Sequence, residues 1–160
     1  MPDLAALNAL PPRDFEELLL RCCAAPGWAR QVTAGRPYES VAELIAAADA
    51  AWAARDPGDL DAAMAGHPRI GERRLSGWSR GEQSGVGSDD GMAQALREAN
   101  AAYEDRFGHV FLICATGRGA GEILAELRRR MANDPGTERE VAAAEIGKIN
   151  AIRLRKLVTP

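Results

Sequence analysis

Ala- and Arg-rich stretches, each shut off by a proline or a glycine, follow one another along the chain, and this punctuation limits the fold more than any other feature of the sequence. Alanine and arginine favour helix interiors, whereas proline fits only a helix's first turn and glycine is common just past its last. The pattern predicts a core helix in "DFEELLLRCCA", where Pro11 and Pro12 precede acids and Phe15, Leu18, Leu19 and Cys22 fall on one face. A short helix in "PGWARQVTAGRPY" is closed by Gly35 and Pro37. Ser40 and Glu43 then form a capping box ahead of "LIAAADAAWAA", the serine accepting from the amide three residues on while the glutamate reaches back. "DPGDLDAAMAGH" delivers the chain to His67, and "SDDGMAQALREANAAYEDRFG" gives a long helix stopped by Gly108. Thr137 and Glu140 form a second box before a last helix in which Ile146, Ile149 and Ile152 recur at helical spacing.

The expected fold is therefore all-α: a single domain over residues 1–160, a compact bundle of about seven to nine helices. One stretch competes with that picture. "HVFLICATGRGAGEIL" reads as a buried strand, a glycine-rich turn and a helix. A dinucleotide fingerprint would need a third glycine after Gly117 and Gly119, but Glu122 stands there, and no P-loop Lys-Ser/Thr follows. What remains is Arg118 beside a helix start, read either as an anion-binding guanidinium backed by backbone N–H groups or as a solvated side chain.

A net charge of −3 lacks the basic excess that a phosphate backbone demands, so nucleic acid is not an expected partner. No apolar run approaches membrane-spanning length, and "MPDLAALNALPPRDFEE" lacks the basic start and apolar core of a signal peptide. Cys22, Cys23 and Cys114 form neither a C-x-x-C pair nor an even framework, which suits reduced, buried thiols and a cytoplasmic location.

Two constellations carry possible chemistry. His67 precedes Pro68, whose ring excludes helical φ/ψ for its predecessor, so the histidine leaves its helix with a restrained backbone, as a catalyst or as a surface or core residue. In "LSGWSRGEQSG", Ser79 and Glu82 have capping-box spacing. The same helix start could instead present amides, a hydroxyl, a carboxylate and the Gln83 carboxamide to a polar heterocycle. A zinc site finds no H-E-x-x-H, a distant His109 and no cysteine ligand spacing.

"GHPRIGE", "SRGEQSG", "LREANAAYEDRFGHVFLICA" and the closing "EIGKINAIRLRKL", in this order and spacing, resemble the 2-oxo-4-hydroxy-4-carboxy-5-ureidoimidazoline (OHCU) decarboxylase family, which acts between urate and allantoin. The resemblance implies an all-α homodimer that decarboxylates a small ureidoimidazoline carboxylate to (S)-allantoin without metal or organic cofactor. It places the catalytic histidine on His67, with Pro68 beside it, and the essential glutamate on Glu82. Substrate contacts fall on Ser79, Arg80, Gly81, Glu82 and Gln83, and on Phe111, Leu112, Ile113, Cys114 and Ala115, the latter run mainly through backbone groups. Relatives commonly carry an arginine directly after the equivalent of Ala115. This chain has Thr116 there and Arg118 two residues later, to which the helix-start argument assigns the anion-binding role. A helical interaction module using His67 and Glu82 structurally, marked by an exposed apolar patch, and a metal-dependent hydrolase, sensitive to chelators, are the other two readings.

Overall fold

Asp3 opens the first helix by accepting the Ala6 N–H at 2.8 Å, and from there the chain is helical wherever its punctuation allows. The computed structural model describes residues 3–68 and 90–158. Among them are eight helices and no strand: α1 (Leu4–Ala9), α2 (Pro12–Cys22), α3 (Pro26–Ala34), α4 (Val41–Ala53), α5 (Pro57–Gly66), α6 (Asp90–Phe107), α7 (Ala120–Arg130) and α8 (Pro135–Val158). The all-α expectation holds. The chain divides into two compact units, one running up to Gly66 and resuming at Gly147, the other spanning His67–Ile146, so that α8 contributes its first half to the second unit and its second half to the first.

In the first unit, α3 packs against α2, α4 and α5. Its start has no cap of its own. The Asp59 carboxylate on α5 supplies one, accepting the Gly27 and Trp28 N–H groups at 3.1 and 3.2 Å. A Cβ at Gly27 would run into that carboxylate, so the long-range cap depends on glycine there. The Trp28 indole donates to the Ala48 carbonyl at 3.0 Å and ties α3 to α4. Arg36 closes the end of α1 by donating to Leu7 O and Leu10 O at 3.1 and 2.8 Å while lying over the Phe15 ring. On α8, Arg153 does the same for α2 through Cys22 O at 3.0 Å. Phe15, Leu19 and Cys22 are buried as the helical face predicts, with Leu18 only half-buried. The Ser40 hydroxyl accepts the Glu43 N–H at 3.0 Å, and Glu43 reaches back to the N–H of Glu39, one residue before the expected target.

The second unit is built on α6 against α7, around Leu96, Tyr103, Phe111, Ile123 and Leu127. Gly108 ends α6 with a φ of 78°, the left-handed conformation that favours glycine. Three expectations need correction here. The predicted cap of α8 is misplaced: Asp134, not Thr137, accepts at the helix start, taking the Thr137 N–H at 3.2 Å and its hydroxyl at 2.5 Å. The apolar run before α7 is buried at Phe111, Leu112, Ile113 and Ala115, as a strand would be, yet it pairs with no other strand among the described residues. Cys114 is likewise half-buried rather than buried, and no disulfide involves it, Cys22 or Cys23. No helix is long and apolar enough among the described residues to cross a membrane.

Candidate active site

His67 stands one residue beyond α5, outside the helix and followed by Pro68, both half-buried. The sequence expectation that proline pulls this histidine off its helix agrees with where α5 ends. Ser79, Arg80, Gly81, Glu82 and Gln83, together with their capping box, lie outside the described residues.

The Phe111–Ala115 run is where the structure brings most together. In place of a ladder of strand partners, two buried side chains serve its backbone. Arg130, in the last turn of α7, donates from Nη1 to Leu112 O at 2.7 Å. Glu145, on α8, accepts the Cys114 N–H at 3.1 Å. These bonds supply the satisfaction that a buried non-helical backbone requires. Arg130 is itself fully buried, and so is its counterion Glu138, whose two carboxylate oxygens lie 2.6 and 2.9 Å from Arg130 Nε. The Arg130 guanidinium also lies over the Phe111 ring, 4.4 Å from its centroid. Tyr103 packs edge-on against Phe111, and burial first, with the Glu138 carboxylate adding to it, pushes its hydroxyl well above the usual phenol range. The phenol stays protonated at any working pH.

After Ala115 the chain turns: the Arg118 N–H donates to Ala115 O at 3.0 Å, and Gly117 takes a φ of 79°. Thr116 and Gly117 are exposed, whereas Arg118 is half-buried just before the start of α7. Gly119 caps that helix with no side-chain hydrogen bond, so no cap side chain serves its first N–H groups. His109 belongs elsewhere. Its ring packs with Phe107 and Tyr103 and its Nδ1 lies 3.0 Å from Val110 O, which makes it part of an aromatic cluster. No three His, Cys, Asp or Glu side chains cluster as metal ligands among the described residues.

Arg130, Glu138 and Glu145 escape a reading of the sequence. Arg130 and Glu138 look like a basic last turn and an acidic first turn, a pattern that normally marks solvated helix ends. Glu145 carries one faint signal: it is a carboxylate beside Ile146 in an apolar stretch of helix.

Residues 8–155 match the family model described as OHCU decarboxylase. A 2-oxo-4-hydroxy-4-carboxy-5-ureidoimidazoline decarboxylase of Amia calva is 32% identical over 168 aligned positions, covering 98% of this chain and 94% of that one. A uric acid degradation bifunctional protein of Arabidopsis thaliana is 33% identical, matching 85% of this chain and 45% of its own longer one. Among solved structures, an OHCU decarboxylase crystallised in the presence of (S)-allantoin superposes with a TM-score of 0.81 at 31% identity, covering 91% of this chain and 99% of that chain.

Proposed function

Since the chain belongs to the OHCU decarboxylase family, we propose that it is a carboxy-lyase converting 2-oxo-4-hydroxy-4-carboxy-5-ureidoimidazoline to (S)-allantoin in urate degradation. The observation that carries the reading is the likeness, nearly end to end and at 31% identity, to a decarboxylase crystallised with (S)-allantoin.

The substrate's own chemistry accounts for a reaction without a borrowed electron sink. Its carboxylate sits on the carbon next to a ring C=N, so the electron pair left by departing CO2 delocalises into the imine, which gains a proton at nitrogen. The resulting enol then takes a proton on carbon while its hydroxyl becomes the carbonyl of allantoin. In this reading His67 delivers the proton on one face and Glu82 orients or deprotonates the hydroxyl, the pair titrating as coupled groups. Protonation from one side yields one enantiomer. Pro68, Ser79, Arg80, Gly81 and Gln83 line the substrate, and the backbone of Phe111–Ala115 contacts it. A homodimeric, cytoplasmic enzyme is part of the same proposal, to be checked by sedimentation and cell fractionation.

The deciding experiment adds the protein to freshly generated urate-oxidation products and follows allantoin by circular dichroism. The expected result is faster appearance of the S enantiomer. Formation at the spontaneous rate, as a racemate, overturns the reading.

Two substitutions probe individual roles. Glu82→Gln keeps a side chain that can still accept from a cap amide but cannot exchange a proton, so turnover should fall about a hundredfold in a folded protein. Full activity would return Glu82 to a purely capping role. Arg118→Ala should raise KM with kcat nearly unchanged, because a contact to the substrate carboxylate made equally in the ground and transition states acts as uniform binding. Steady-state kinetics that match the wild type would leave Arg118 a solvated side chain.

A further inference from the structure

We propose that Glu145 and Arg130 are positioning residues: they hold one edge of the Phe111–Ala115 backbone so that the opposite edge, carrying the N–H and C=O of Ile113, is offered to the substrate. This rests on the decarboxylase reading above and deepens it.

The geometry begins with a spacing of two. In extended chain the N–H and C=O of one residue point to the same side, and successive residues alternate. Leu112 O and Cys114 N, two residues apart, are both engaged by side chains of the second unit, at 2.7 Å by Arg130 and at 3.1 Å by Glu145. The polar groups of Ile113 therefore point the other way. The clamp is stiff at both of its points. Arg130 is fixed by Glu138 and by the Phe111 ring beneath its guanidinium, and Glu145 sits on a long helix with only 6% of its surface exposed. A carboxylate at such a position is costly unless it makes hydrogen bonds that nothing apolar could make, and the Cys114 amide is one such bond. Real strands hold their edges with neighbouring strands. Here no strand among the described residues pairs with the second edge, which suits a backbone that must meet a polar heterocycle. Ordering that edge beforehand also lowers the cost of binding.

The test compares Glu145→Leu, which keeps bulk and removes the acceptor, with Glu145→Gln, which keeps an acceptor oxygen. Wild-type turnover is measured first. Its absence sinks the decarboxylase reading and takes the positioning role with it. With an active wild type, the folded Leu variant should raise KM at least about tenfold with kcat within a few fold, and the Gln variant should stay within about twofold on both. A merely structural Glu145 would lower the melting temperature in the Leu variant and leave KM alone, and that outcome overturns the proposal. So does a Gln variant as impaired as Leu. Should the Leu variant not fold, (S)-allantoin is titrated into 15N-labelled wild-type protein. Saturable movement of the Ile113 amide resonance that exceeds that of Cys114 supports the proposal, and the reverse order overturns it.

Discussion

His67→Asn is expected to lower decarboxylation by about a thousandfold while moving the melting temperature only slightly. The first half follows from chemistry: a positioned acid or base contributes roughly 10²–10⁴ in rate, and asparagine keeps polarity but has no proton to exchange near neutral pH. The second half follows from place. His67 lies beyond the last residue of α5, half-buried, and belongs to no helical face that a shorter side chain would leave hollow. Its backbone direction is restrained by Pro68, which the substitution leaves untouched. The measurement pairs the circular-dichroism assay for allantoin with thermal unfolding of the same preparation. A large fall in melting temperature would make His67 a structural histidine, and wild-type kinetics would remove it from the mechanism.

The parts of this fold that were legible in the sequence are those whose cause is local. Pro12, Pro26 and Pro57 each begin a helix, and Ser40 caps α4. Gly108 stops α6 through a φ that is strained for other residues. Each of these signals acts within four residues of its effect. Where the cause is distant, the reading fails. The start of α3 is capped by Asp59, 32 residues from Gly27, and nothing around Pro26 announces it. The Thr137 box fails for a local reason instead: Asp134, three residues upstream, also has cap spacing and wins the helix start, so that Thr137 sits inside the first turn. The run from Phe111 to Ala115 reads as a strand because burial imposes the same apolar composition on any extended segment. Whether a strand lies beside it depends on what is brought there from elsewhere in the chain, and among the described residues these are the side chains of Arg130 and Glu145. The candidate site divides the same way. The restraint on His67 is written in its neighbour Pro68, whereas the buried charges behind Phe111–Ala115 are indistinguishable in sequence from surface helix ends.

Those buried charges carry the second large effect. Glu138→Leu should destabilise the protein by about 3–5 kcal/mol, a large share of the roughly 5–15 kcal/mol that holds a typical domain together. The reason is what remains. Arg130 is fully buried and Glu138 provides its counter-charge, so removing the carboxylate strands a guanidinium that cannot reach water. The face of Phe111 and the Leu112 carbonyl offset only part of that loss, because neither carries a full negative charge. Replacing both partners, Arg130→Met with Glu138→Leu, should be milder than the single change, since two desolvated ions disappear together and the space fills with apolar side chains of similar bulk. It should still fall short of the wild type. The Leu112 carbonyl loses its buried donor, a deficit of about 1–3 kcal/mol that no apolar side chain can repair. Urea unfolding of the two variants and the wild type reads the order directly, wild type above double variant above single. A double variant no better than Glu138→Leu would mean that the cost lies in the shape of the site, and that the stranded charge is not its source.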